Sequence, residues 1–405
     1  MEGVVVQALL PVLQMLAIRQ VAQSSVTVPQ SKFTGTAVRG KLRGASSGRQ
    51  RLSQRVRSRC GLSVGALWLA VFAIHVWGSG ELPGIHPSAS QDANLPYPHL
   101  KFIREFSGAS DVEKEAHPVL NRSLDIIAGP GDPRASIDRL EAPYAVATDS
   151  AHRVFVTDPG AGVVHIFDFG QGKYALLGGK GSRIHSPSGI AIDGQGNVYI
   201  SDSVEEAVLV YDARGKFQHY LGRAGRNESL FQAPAGIAIQ EATGQIYVCD
   251  SRRHMVLVLD KKGHILSHIG KRWGGKGPAE FRYPSQIRIA GEELFVLDRG
   301  NSRVQILDMG GHFRREIKME EVHTDAGLAL DEEKNIYVSD PQFSGINVFA
   351  YDGRFLYRFG RNGTKAGDFD TPSGLWVEAG KGLYVADTKN KRVEEFQIEA
   401  QPGAK

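Results

Sequence analysis

The sequence predicts an all-β fold, a six-bladed β-propeller. Three observations carry this prediction. One strand–turn–strand pattern recurs six times from Pro143 onward. The aspartates that end its second strand, Asp158, Asp202, Asp250, Asp298, Asp340 and Asp387, are spaced by 44, 48, 48, 42 and 47 residues. Each copy is a set of short Val-, Ile-, Tyr- and Phe-rich runs separated by turn residues, which is how propeller blades read. Blades pack both faces against their neighbours, so strict polar alternation is not required of them.

The first strand of each copy reads PYAVATD, PSGIAID, PAGIAIQ, PSQIRIA, DAGLALD and PSGLWVE, starting at residues 143, 187, 234, 284, 325 and 372. The second reads RVFVTD, NVYISD, QIYVCD, ELFVLD, NIYVSD and GLYVAD. A third apolar run follows each, and in the first five copies a Gly-led fourth. The repeated aspartate has a structural use, because a short carboxylate at a strand end accepts backbone N–H groups from the adjoining turn. Copy six stops after its third strand, so an upstream strand must complete it and leave no open seam. Two segments compete for that slot, RSLDIIAG at 122–129 and HLKFIREFSG at 99–108. The propeller is therefore expected to span 99–398.

Upstream, residues 61–77 (GLSVGALWLAVFAIHVW) form an uncharged run of 17, near the lower limit for a helix that crosses a bilayer. Arg49, Arg51, Arg55, Arg57 and Arg59 precede it, and the positive-inside rule keeps such a flank in the cytoplasm. The expectation is a transmembrane or signal-anchor helix with the propeller extracytoplasmic, periplasmic or extracellular. Residues 1–60 read as a basic, disordered arm, and 78–98, rich in Gly, Pro and Ser, as a linker.

The net charge of +4 averages two unlike parts, because residues 1–98 carry ten Lys/Arg against three Asp/Glu and the remainder 38 against 41. A near-neutral body offers no basic face for nucleic acid at the level of composition. Two cysteines, Cys60 and Cys249, make no disulfide framework.

The stretch PSGIAIDGQGNVYISDSVEEAVLVYDARGKF, with GRAGRNESLFQAP and GRNGTKAGDFDTP leading into later copies, resembles the NHL repeat. The likeness covers 143–397, and the arrangement is similar to bacterial exported six-bladed NHL propellers behind a signal or membrane anchor. The family's Arg-Val step in the third strand is kept only at Arg303-Val304 and Arg392-Val393. The resemblance implies either a module that binds protein, peptide or glycan, or an exported metal-dependent lyase or hydrolase with its site in the central channel. No cofactor is expected; a structural or channel-bound Ca or Zn is the exception the enzyme reading would need.

Sites are sought where a copy breaks the pattern. Arg288 and Trp376 stand where the other copies have Ala, and Gln286 where most have Gly. An indole and a guanidinium are costly there unless satisfied. Tyr144, Gln286, Arg288 and Trp376 are thus candidate ligand-binding residues at the channel, with space filling or an internal ion pair as the alternative. Trp273, in the longest connecting loop, is a candidate exposed contact. The positions after each first-strand Pro or its equivalent hold no zinc ligand. His264 and His268 are four apart in a strand, about 13 Å, too far to share one ion. No nucleophile or acid–base pair stands out, so no catalytic residue is assigned.

Overall fold

The computed structural model describes residues 99–116, 138–179, 181–223, 229–319 and 326–399. The 61–77 segment and the 122–129 strand candidate lie outside them. Among the described residues no helix is long and apolar enough to cross a membrane.

Six four-stranded antiparallel sheets form the ring. Blade one runs from β2 (Val146–Thr148) to β5 (Lys173–Gly178), blade two from β6 (Pro187–Ile192) to β9 (Phe217–Leu221), and blade three from β10 (Pro234–Gln240) to β13 (Ile265–Gly270). Blade four runs from β14 (Pro284–Ala290) to β17 (Phe313–Lys318), and blade five from β18 (Leu328–Leu330) to β21 (Phe355–Phe359). Blade six takes β22 (Pro372–Glu378), β23 (Gly382–Asp387) and β24 (Arg392–Glu399) from the C-terminal end, and β1 (His99–Phe106) from the N-terminal side. The slot that the sequence left between two segments is filled by 99–106, with His99 opposite Glu399 and Phe106 opposite Val393.

In every blade the first strand is innermost and pairs with the second, so its start and the second strand's end lie on one rim, here the upper. The first hairpins and the third-to-fourth hairpins form the lower rim. Buried residues of adjacent blades make the core clusters, such as Cys249, Val256, Phe281, Ile287 and Val296 between blades three and four. A short helix, α1 (Ala109–Ala116), follows β1 and buries Val112.

Adjacent inner strands approach most closely at the glycine two residues after the first-strand Pro. A Cβ on Gly189 would lie 2.1 Å from Ala235 O, and one on Gly374 2.2 Å from Tyr144 O. Only glycine permits that approach. It lets Gly374 N–H donate to Tyr144 O at 2.7 Å, while Ser201 and Ser339 hydroxyls donate to Ala235 O and Ser373 O at 2.5 and 2.6 Å. Blades one and four carry Ala145 and Gln286 at this position, so their junctions with blades two and five cannot close in the same way. The close glycine approach therefore joins blades two to four and blades five to one, while apolar clusters pack blade one on blade two and blade four on blade five.

Candidate binding site at the channel and upper rim

The six strand-end aspartates are structural. Asp158 accepts from the N–H groups of Glu141, Ala142 and Ala161 at 2.6, 3.0 and 3.0 Å. Asp202 accepts from His185, Ser186, Val204 and Glu205 at 2.7, 2.8, 3.0 and 3.0 Å. Asp158 and Asp202 thus staple the loop before their own blade to the turn after it. Burial raises the carboxyl pKa of Asp250 and Asp387 above the ordinary range despite the hydrogen bonds they accept. Asp158 shows the opposite balance, because His165 and its backbone donors outweigh burial and hold it low.

The third strands explain why the Arg-Val step matters. Arg303 donates to Asp298 at 2.8 Å and to the carbonyls of Lys276, Gly277 and Glu280 at 2.9, 3.0 and 2.8 Å. Arg392 repeats this on Asp387 at 2.9 Å and on the carbonyls of Thr364, Lys365 and Asp368 at 2.9, 3.1 and 2.7 Å. Both guanidiniums are buried and lock the connecting loop ahead of their blade.

Two residues after each arginine the blades differ. Gln305 accepts from Ala279 N–H at 3.0 Å and donates to Glu280 O at 2.7 Å. Glu394 accepts from Gly367 N–H at 3.0 Å, and Arg392 Nη2 lies 2.8 Å from its Oε1 without the alignment of a hydrogen bond. Arg392 is shared with Asp387 and Glu105. Burial pushes the Glu394 carboxyl up to about 7, assisted by Asp387 and Glu105 and opposed by Gly367 N–H and Arg392. In blade one His165 takes this register, enclosed, with Nε2 3.3 Å from Asp158 and Nδ1 2.7 Å from Tyr174 OH.

Of the sequence-selected residues, the fold brings Arg288 and Trp376 together. Arg288 pairs opposite Phe295, and Trp376 opposite Tyr384. Arg288 donates to its own chain at Ile287 O, 2.9 Å, and across to Leu375 O in blade six, 3.0 Å. Its guanidinium carbon lies 5.4 Å from the Trp376 ring centroid. The indole N–H continues the line to Thr148 Oγ1 in blade one at 2.9 Å. Arg288 keeps partial contact with solvent, yet it is set so deep among protein atoms that burial pushes its pKa down to about 10, with nearby Cys249 opposing. Its Nε is buried without a hydrogen-bond partner among the described residues.

Gln286 is buried at 5% exposure, and Tyr144 packs half-buried against the core of blades one and two. Trp273 stands apart on the upper rim at 89% exposure. Among the described residues no group of three or more His, Cys, Asp or Glu is placed to hold a metal ion. The buried His165–Asp158 pair escaped sequence reasoning; its signal was that His165 occupies the register of Gln305 and Glu394.

Residues 226–341 match the family model described as a 6-bladed beta-propeller, DUF5128. The chain is a six-bladed β-propeller. Among solved structures the propeller is similar to the selenomethionine-substituted virginiamycin B lyase of Staphylococcus aureus, at 12% identity over 64% of this chain and 95% of that one, with a TM-score of 0.47. It is also similar to Kuenenia stuttgartiensis hydrazine synthase, at 13% identity, 64% and 96% coverage and a TM-score of 0.46. A structural-genomics protein of unknown function from Bacteroides thetaiotaomicron VPI-5482 gives 15%, 64%, 70% and 0.49. At such values these are likenesses of outline, and the chemistry in those names stays with those proteins. No curated protein sequence matches the chain.

Proposed function

We propose that this propeller is an NHL-type, membrane-anchored binding or scaffolding module on the extracytoplasmic side, presenting its rim loops to a protein, peptide or glycan partner. The observation that carries this reading is the commitment of the interior. The strand-end aspartates described above are occupied with backbone donors, and the Arg288–Trp376–Thr148 line runs between blades four, six and one. The loops that buried Arg303 and Arg392 hold in place are open to a partner, and rigid loops bind at lower entropic cost. The apolar 61–77 run and its arginine flank support the anchor and the side of the membrane.

A crosslinking pull-down with the full chain from its native membrane tests the reading. A specific envelope partner is the expected result. A protein that captures nothing and carries one stoichiometric Zn or Ca by elemental analysis overturns it in favour of an exported lyase or hydrolase. That second reading draws on one observation, the unpartnered Arg288 Nε beside Trp376, a place where a polar substrate could be held.

A further inference from the structure

The connecting loop from blade three to blade four, residues 271–283, folds onto the turn 251–254 of blade three. Tyr283 N–H donates to His254 Nδ1 at 3.1 Å, and the two rings meet edge to face with centroids 4.6 Å apart. Arg303 holds the loop from beneath through three carbonyls. Two segments distant in sequence are thereby joined into one built surface.

Its charge is one-sided. The segments 251–254 and 271–283 carry six Lys/Arg and a single carboxylate, Glu280. Glu280 is engaged by Lys271. Exposed Arg252, Arg272, Lys276 and Arg282 have no carboxylate partner among the described residues. Trp273, 89% exposed, rises among them with Arg272 5.8 Å from its ring, and Tyr283 is 40% exposed. An indole left in water on a braced loop is surface awaiting an apolar contact.

We propose that this basic, aromatic sector of the upper rim is the docking site for a short acidic polypeptide segment carrying one apolar side chain for Trp273. This rests on the binding-module reading above and names the partner's chemistry. Charge complementarity argues for an anionic partner. Its extent, two adjacent blades of a near-neutral body, suits a short segment better than a nucleic acid, which needs a long basic track. A lipid surface is the competing occupant that the vesicle arm of the test separates.

The test is fluorescence anisotropy of a labelled peptide, eight glutamates around one leucine, with the full chain in detergent at low salt. Saturable binding is expected, weakened about fivefold or more in the R252S/R272S/K276S variant and also weakened in Trp273→Ser. Lys262→Ser, on the lower rim, should bind as wild type. Unchanged binding by the triple variant overturns the proposal, as does tighter binding of an oligonucleotide or of phosphatidylglycerol vesicles. A native partner crosslinked equally by wild type and triple variant sinks this docking site while leaving the binding-module reading standing. Failure of the wild-type chain to crosslink any partner sinks both.

Discussion

Arg288 of blade four lies 5.4 Å from the Trp376 ring of blade six and donates to Leu375 O at 3.0 Å, bridging the blades on either side of blade five next to the junction where Gln286 replaces the seam glycine. Replacing Arg288 by Met keeps volume and removes the strap. The loss of a charge-assisted bond, offset by relief of the buried cation, should cost about 1–3 kcal/mol. Thermal unfolding followed by near-ultraviolet circular dichroism checks this, since Trp376 reports directly. An unchanged midpoint would show that the ring holds without the strap.

The glycine seam makes the converse prediction. Gly374→Ala places a methyl 2.2 Å from Tyr144 O, against backbone that cannot yield without opening blade six from blade one. A loss of about 3 kcal/mol is expected in denaturant unfolding. Ala145→Gly, at the same register on a junction already spaced for a Cβ, should cost under about 1 kcal/mol. Equal losses would show that the Ala145 junction is as close as the glycine seam.

Blade number, strand order and the use of the strand-end aspartates were legible because each is written six times and local pattern agrees with the packing. The closing strand was not, because 99–108 and 122–129 both read as strands and only pairing with Glu399 through Val393 chooses between them. Arg288 and Trp376 were visible as departures from Ala. That they meet was not, since it depends on blade five lying between their blades with the small Ala329 at the same register. Glu394 and His165 were hidden because a third strand accepts almost any residue in sequence, whereas the enclosure at that register is a tertiary fact.

Glu394 sets a pH dependence. Its carboxyl is pushed up to about 7 by burial and by two neighbouring carboxylates sharing Arg392. A raised pKa means that the folded state holds the proton more tightly, so this contribution is complete below the ordinary Glu value of 4.5 and is lost as pH rises toward 7. Glu394→Gln, which copies Gln305 of blade four, should abolish that slope. The variant should exceed wild type by about 2 kcal/mol at pH 8. Chemical unfolding at pH 5 and pH 8 checks it; a wild-type curve flat across that range would contradict the shift.

Asp158 works in the opposite sense. His165 and backbone donors hold its carboxyl below the ordinary value of 3.8, so its contribution is present above that value and disappears as pH falls through the depressed folded pKa. His165→Leu removes the imidazole 3.3 Å from the carboxylate and leaves the burial that opposes it, which should destabilise the fold at neutral pH by about 2–3 kcal/mol. The acid limb of the stability curve should then begin at higher pH than in wild type. His165→Gln, able to donate to Asp158 as Gln305 donates to Asp298, should recover most of the loss. Urea unfolding of the three proteins at neutral pH and near pH 3 distinguishes a buried polar pair, rescued by glutamine, from a histidine that merely fills space, for which leucine would serve as well.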